Sequence, residues 1–397
     1  MTNKAKVLIV HNQYQLAGGE DTVAENEGNL LKANGHEVYY YIRTNKEIEE
    51  MNLVQKFLAG MGTFYSIKAY REISKIIKEH EIQIVHVHNT VPLISCSVYD
   101  AAKRNGCKIV QSIHNQRMLC PTGMMIRDEH ICEDCVEKGL KCAIRHSCYR
   151  NSKIQSLLLS GAIAWNRKRG AYNLVDAYLV TTKFNYDMLS KVVPTNKIFY
   201  KPYYSDSEIW NLADKKREYY IYISRVEYLK GIFVALKAFE KLPEQKLLVL
   251  GVGPGEEEAH QYVKTHQLHN IEFQGFKCKQ EMLKLLYHAR ALVFPTQWYE
   301  GFPMTIVESM ATGTPIIGSN IGNVGTIVKD GVNGLTFQYD NPDALKDKIT
   351  YFEKNPELAR KLEKGAQKEF IENHTFEKVY KTTNDLYMSL MKDDKQE

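Results

Sequence analysis

Between Phe294 and Gly318 the chain reads FPTQWYEGFPMTIVESMATGTPIIG, which places two carboxylates, Glu300 and Glu308, around a proline and a set of small residues. Pro303 suits the start of a helix and Gly313 the left-handed turn that ends one, so the spacing predicts a helix from Pro303 to about Thr312. Backbone N–H groups in the segment Gly301, Phe302, Pro303, Met304 and Thr305 then point out of the helix start, where the helix dipole adds partial positive charge. That combination takes an anion. Carboxylates repel an anion, so the chemistry left to Glu300 and Glu308 is to accept hydrogen bonds from hydroxyl groups on either side of it. A phosphate flanked by a sugar and a ribose fits. Taken singly, Glu300 is an ordinary loop carboxylate and Glu308 an ordinary helix residue.

Three further loops carry residues of matching chemistry. SRVEYLKG, residues 224–231, places Arg225 and Lys230 between a strand and a helix, where two cations neutralise a diphosphate. LVLGVGPG, residues 248–255, is a strand followed by a glycine turn in which Gly253 lets a backbone approach a nucleotide closely. VHNQYQLAGGE, residues 10–20, opens a strand into a loop whose Gly18 and Gly19 carry no side chain to block a helix start. His114 follows another strand, and His86 and His88 lie at a third strand end in IVHVHNT with no role of their own.

The segment EGFPMTIVESMATGTPII closely resembles the signature of family-4 glycosyltransferases of GT-B architecture, and the three loops resemble that family's loops in the expected order. The resemblance implies an α/β protein of two Rossmann-like doubly wound domains facing an interdomain cleft. It also implies transfer of a sugar from a nucleoside diphosphate sugar to an acceptor hydroxyl with retention of anomeric configuration. Arg225 and Lys230 are similar to the family's diphosphate-binding pair, Glu300 to the residue that positions the donor sugar and Glu308 to the one that binds the ribose. His114 resembles a histidine that hydrogen-bonds the donor sugar, and Phe276 belongs to a segment resembling the base-facing one. Glu300, His114, Arg225 and Lys230 are thus the expected catalytic set. No cofactor is required for catalysis, since fixed positive charge takes the place of a divalent cation. One stretch, IGNVGTIV at residues 321–328, departs from the pattern: many relatives carry an acidic residue near Thr326.

Five of the eight cysteines crowd between Cys120 and Cys148, and Cys132 and Cys135 have the C-x2-C spacing that lets two thiolates share a metal. Cys142 and His146 compete for the remaining places. A bacterial subgroup of the family looks similar here, with LCPTG, C-x2-C and CYR, and that resemblance selects Cys120, Cys132, Cys135 and Cys148 as ligands of a structural zinc. The same subgroup implies surface-glycan synthesis, as of capsule or exopolysaccharide, with a lipid-linked acceptor. After this insert, residues 150–169 join an apolar stretch to Arg150, Lys153, Arg167, Lys168 and Arg169. Such a helix is either a core helix with solvated ends or a contact for anionic headgroups at the inner membrane.

Positioning these residues requires strands alternating with helices. Short apolar runs predict strands at 6–10, 37–42, 84–87, 108–111, 177–180 and 198–200, then at 219–224, 246–250, 271–274, 291–294 and 315–317, with amphipathic stretches between them. This alternation calls for parallel sheets whose ligands bind at the carboxyl ends of the strands. A polar, proline-containing stretch at 201–218 marks the boundary. The domains are therefore 1–204, carrying the insert 118–150 and binding the acceptor, and 205–397, binding the donor. The last helix, about 376–393, is expected to pack back on the first domain.

The chain has 397 residues, 44% hydrophobic and 25% charged, with a net charge of +5, which excludes disordered, collagenous and coiled-coil classes and gives no sign of nucleic-acid binding. No apolar run reaches bilayer length, so a cytoplasmic protein, peripheral to the membrane at most, is expected. Two other readings share the two-domain plan: a nucleotide-sugar epimerase or phosphorylase, and a zinc-bearing binding scaffold with an inactive cleft.

Overall fold

The apolar runs form strands that are apolar on both faces, as helices on either side of a parallel sheet require. In the first sheet Leu8, Val10, Val85, Val87 and Ile109 pack to one side, while Val7, Ile9, Ile84 and Val110 pack to the other. The computed structural model describes residues 4–14 and 19–393, which fall into two units. The first comprises residues 1–127, 132–202 and 379–397, and the second residues 128–131 and 203–378.

The first unit holds β1 (Lys6–Gln13), β2 (Glu37–Thr44), β3 (Ile84–Val87), β4 (Lys108–Ser112), the two-residue β5 (Ile126–Arg127), β7 (Ala177–Val180) and β8 (Ile198–Tyr200), while the two-residue β6 (His130–Ile131) falls to the second unit. The sheet order is β2-β1-β3-β4-β7-β8, with parallel pairing throughout. The helix Phe376–Asp393 brings Leu386 and Tyr387 against Ala5, Val7 and Ile9, and the Tyr387 hydroxyl shares a 2.6 Å hydrogen bond with His86 Nδ1.

The second unit holds β9 (Tyr219–Ile223), β10 (Leu247–Leu250), β11 (Ile271–Gly275), β12 (Ala289–Phe294), β13 (Ile316–Ser319) and β14 (Gly334–Phe337) in the order β11-β10-β9-β12-β13-β14. Counted within the unit this is 3-2-1-4-5-6, the doubly wound dinucleotide-binding order. The order reverses between β9 and β12, so the loops after those two strands diverge and leave room at their carboxyl ends. Those loops contain Arg225 and Lys230 on one side and Glu300 on the other.

The sequence pattern does not disclose β14: it is four residues long and opens on a glycine, and that glycine is required. A Cβ on Gly334 would stand 2.2 Å from the Ile316 carbonyl oxygen of the neighbouring strand. The helix predicted from Pro303 runs Met304–Ala311, with Pro303 as its cap residue, and Gly313 closes it at φ +63°. Among the described residues no helix is long and apolar enough to cross a membrane.

Candidate active site

At the switch point of the second unit, Lys230 and Glu300, seventy residues apart in sequence, form a nearly buried ion pair. The Lys230 ammonium donates to both carboxylate oxygens at 2.8 Å. Trp298 Nε1 and the Thr296 hydroxyl donate to Glu300 Oε1 at 2.7 and 2.9 Å, and the ammonium lies 4.9 Å from the centre of the Trp298 ring. The carboxylate is thus fixed by donors from its own loop and from the facing one, and the cation is held against an aromatic face. Asn323, buried in the following helix Gly322–Ile327, donates to the backbone carbonyls of Glu300 and Gly301 and so fixes the loop itself.

The facing loop is set with equal care. The buried Tyr222 hydroxyl points at the carbonyls of Arg225 (2.9 Å) and Lys230 (3.3 Å), closing residues 225–230 into one turn. Gly231 then adopts φ +75°, and a Cβ there would meet the Pro295 carbonyl oxygen at 1.8 Å. Only glycine lets the two loops approach this closely. The Gly253 turn lies against Val226, whose N–H donates to the Val252 carbonyl at 3.2 Å, and Gly251 donates to the Gly275 carbonyl at 2.8 Å. The loops after β9, β10 and β11 therefore stand side by side.

Not every predicted residue joins this constellation. Arg225 is largely exposed and pairs with Glu227 at 2.9 Å. Phe276 is 78% exposed, its ring left open to solvent. Phe302 stacks edge-on with Tyr203 at 4.9 Å between ring centres and Met304 packs, half-buried, against the core, while Gly301 is exposed and Thr305 half-buried at the helix start. Glu308 sits one turn further along, buried, with Lys279 3.9 Å away and Asp206 paired to the same lysine. Burial pushes its pKa up to about 7, and the Asp206 charge adds to the rise.

A proton linkage follows from that rise. The folded state holds the Glu308 proton more tightly than the unfolded chain, so this part of the stability is present at low pH and is lost as pH rises through about 7. Melting temperatures of Glu308→Gln and the parent are expected to diverge in favour of the variant between pH 5 and pH 8. A constant difference would contradict the linkage.

His114 lies in the first unit, buried, its Nε2 sharing a 2.9 Å hydrogen bond with His88 Nδ1 and its ring stacked on that of His88 at 5.1 Å. Burial lowers its pKa to about 4, so the imidazole is neutral at physiological pH. Gly19 begins the helix Gly19–Ala33 with open space where its Cβ would be, whereas Gly18 falls outside the described residues. Near them Glu20 accepts from Tyr14 and Asn115, and His11 pairs with Asp21 at 2.7 Å. A pocket in this unit is lined by His88, Tyr99, Gln111, His114, Arg117 and Asn166 among others. Into this unit's interior His88 Nε2 and Arg117 Nε bring buried polar atoms that no hydrogen bond satisfies.

In the insert all five cysteines are free thiols. Cys120 and Cys135 are buried and hydrogen-bonded to each other, Cys120 also reaches the Thr122 hydroxyl at 3.2 Å, and Cys132 and Cys148 lie within electrostatic reach of Cys120. Among the described residues, no group of three or more His, Cys, Asp or Glu side chains stands in a metal-holding arrangement.

Tyr222, Thr296, Trp298 and Asn323 carry no mark in the sequence that separates them from other polar and aromatic residues. Trp298 and Thr296 lie inside the stretch that predicts the anion site, and only the fold turns them toward Glu300.

The second unit thus carries a sheet of order 3-2-1-4-5-6 with a lysine–glutamate pair at its switch point, and the first unit carries a parallel sheet of its own. Residues 17–200 match the model described as Glycosyltransferase Family 4 and residues 206–369 the model described as Glycosyl transferases group 1. The chain is a glycosyltransferase of GT-B fold whose two halves match these two models. It is 23% identical to N-acetyl-alpha-D-glucosaminyl L-malate synthase of Bacillus anthracis, over 98% of this chain and 99% of that one. Among solved structures it is similar to a glycosyltransferase of Rickettsia africae (TM-score 0.69, 18% identity, 98% of this chain and 99% of the other). It is also similar to HepE of Anabaena in complex with UDP (TM-score 0.67, 14% identity, 97% of this chain and 100% of the other).

Proposed function

We propose that the enzyme moves a sugar, with retention of configuration, from a nucleoside diphosphate donor to a hydroxyl of a lipid-linked saccharide in surface-glycan synthesis. The observation that carries the donor half is the Lys230–Glu300 pair, held by Trp298 and Thr296 in the loop that leads into the helix Met304–Ala311. Lys230 and the helix start stabilise the departing diphosphate, with Arg225 turning from Glu227 to the same phosphates. Released from the ammonium, Glu300 accepts from donor-sugar hydroxyls, Glu308 accepts from the ribose, and neutral His114 hydrogen-bonds the transferred sugar. The Gly253 turn and Phe276 flank the base. Fixed positive charge does the work that a divalent cation does elsewhere. The UDP bound to the Anabaena protein favours a uridine donor. The acceptor falls to the first unit, whose pocket offers the unsatisfied His88 and Arg117 nitrogens to hydroxyls.

Thermal shift with UDP, GDP and ADP tests the reading. One of them is expected to raise the melting temperature by an amount that grows with its concentration. A protein that answers to none of them has no donor site.

Zinc on Cys120, Cys132, Cys135 and Cys148 rests on the sequence resemblance alone; these thiols would have to close up from the arrangement described to hold it, and it would be structural, because four thiolates leave no open position for water. Zinc is expected in the purified protein and is expected to be lost in Cys132→Ser but kept in Cys142→Ser. Parent protein that holds none would end this part.

A further inference from the structure

The helix Leu53–Gly62 presents Val54, Phe57, Leu58 and Met61 at i, i+3, i+4 and i+7, and the first turns of the helix Lys153–Lys168 present Ile154 and Leu157. These six side chains are 47–71% exposed. The two helices pack on each other: a Cβ on Gly60 would touch Leu158 at 3.4 Å, and Trp165 meets the rings of Phe64 and Tyr65, each at 6.4 Å. Both lie in the first unit. Exposed apolar side chains are ordinary when scattered, but gathered on two touching helices they need an occupant.

Charge says which occupant. Residues 51–71 and 138–175 contain eleven Lys and Arg and no Asp or Glu; Lys68 and Lys138 pair with Glu72 and Asp134 just outside these stretches, and Glu49 and Glu50 precede the first. Arg167 and Arg169 are spent inside the fold, on the Met118 carbonyl and on Asp100. Lys56, Arg150, Lys153 and Lys168 are exposed. A second copy of this chain would have to bring these like charges together, and a neutral protein face would leave them unused. An apolar face rimmed by unopposed cations suits the surface of an anionic bilayer, where the apolar side chains enter the acyl boundary and the ammonium and guanidinium groups stay among the headgroups.

We infer that the paired helices Leu53–Gly62 and Lys153–Lys168 form a docking surface for anionic lipid. The inference deepens the proposed use of a lipid-linked acceptor, which this surface would keep within reach. It is tested by flotation of the full chain with vesicles of phosphatidylcholine alone and with phosphatidylglycerol added, at low and high salt. Hydrolysis of the stabilising donor is measured in parallel without vesicles. Binding is expected only with the anionic lipid and is expected to weaken with salt. Phe57→Ser with Leu58→Ser, and separately Lys56→Glu with Lys153→Glu, are each expected to lower binding about tenfold or more. Both pairs are expected to leave melting temperature and donor hydrolysis unchanged, because all four residues are exposed. Absence of anionic-lipid binding by the parent, equal binding to both vesicles, unchanged binding of either variant pair, or a dimer that the apolar pair breaks would each overturn the inference. None of these results would touch the transferase reading, which falls only if donor hydrolysis and nucleotide binding fail.

Discussion

Lys230→Ala is expected to lower donor turnover by well over an order of magnitude, as removal of one charged transition-state contact does at about 1.4 kcal/mol per factor of ten. The same change strips a nearly buried carboxylate of its counter-ion, a loss of about 3 kcal/mol of stability by analogy with other buried pairs broken on one side. The two effects can be separated. Glu300→Gln in the Lys230→Ala background removes the orphaned charge while keeping the acceptor oxygen for Trp298 and Thr296. The double variant is expected to regain most of the melting temperature and none of the turnover. Recovery of turnover would mean that Lys230 serves only to neutralise Glu300.

Glu308→Ala is expected to act in the opposite way on stability. Its carboxylate is buried with only a distant lysine for support, so the free protein loses little without it. Donor turnover is nevertheless expected to fall by an order of magnitude or more, chiefly through a raised donor KM, because the ribose hydroxyls lose their acceptor. Hydroxyl donors favour the ionised form of a carboxyl whose pKa burial has pushed up to about 7. Nucleotide binding is therefore expected to release a proton and to tighten between pH 6 and pH 8. Calorimetric titrations in buffers of differing ionisation enthalpy would measure that release, and a parent and a Glu308→Gln variant with the same pH dependence would contradict the role.

What the sequence makes legible follows from the range of each signal. Strands such as Ile84–Val87 and Ala177–Val180 announce themselves because a buried parallel strand is a short apolar run between breakers. The helices from residue 342 onward are equally plain, since Asn341, Pro342 and Pro356 mark their starts. Strand Gly334–Phe337 escapes because its glycine is chosen by a neighbour eighteen residues away, not by local propensity. Glu300 and Glu308 stand out through their helix-start context. Their partners do not: Lys230 reaches Glu300 only because β9 and β12 are adjacent, and Asn323 reaches the loop carbonyls from the helix that follows β13. The proposed docking surface is half visible in the same way. The basic, apolar helix after the insert shows in the sequence, but its companion Leu53–Gly62 reads as one more amphipathic segment until packing joins the two.

The central claim is that a diphosphate binds between Lys230 and the start of the helix Met304–Ala311. A crystal structure of the enzyme with whichever nucleoside diphosphate stabilises it tests this most directly. Phosphate oxygens are expected on the Lys230 ammonium and on the backbone N–H groups near Thr305, with ribose hydroxyls on Glu308. A nucleotide bound elsewhere, with the Lys230–Glu300 pair undisturbed, would contradict it.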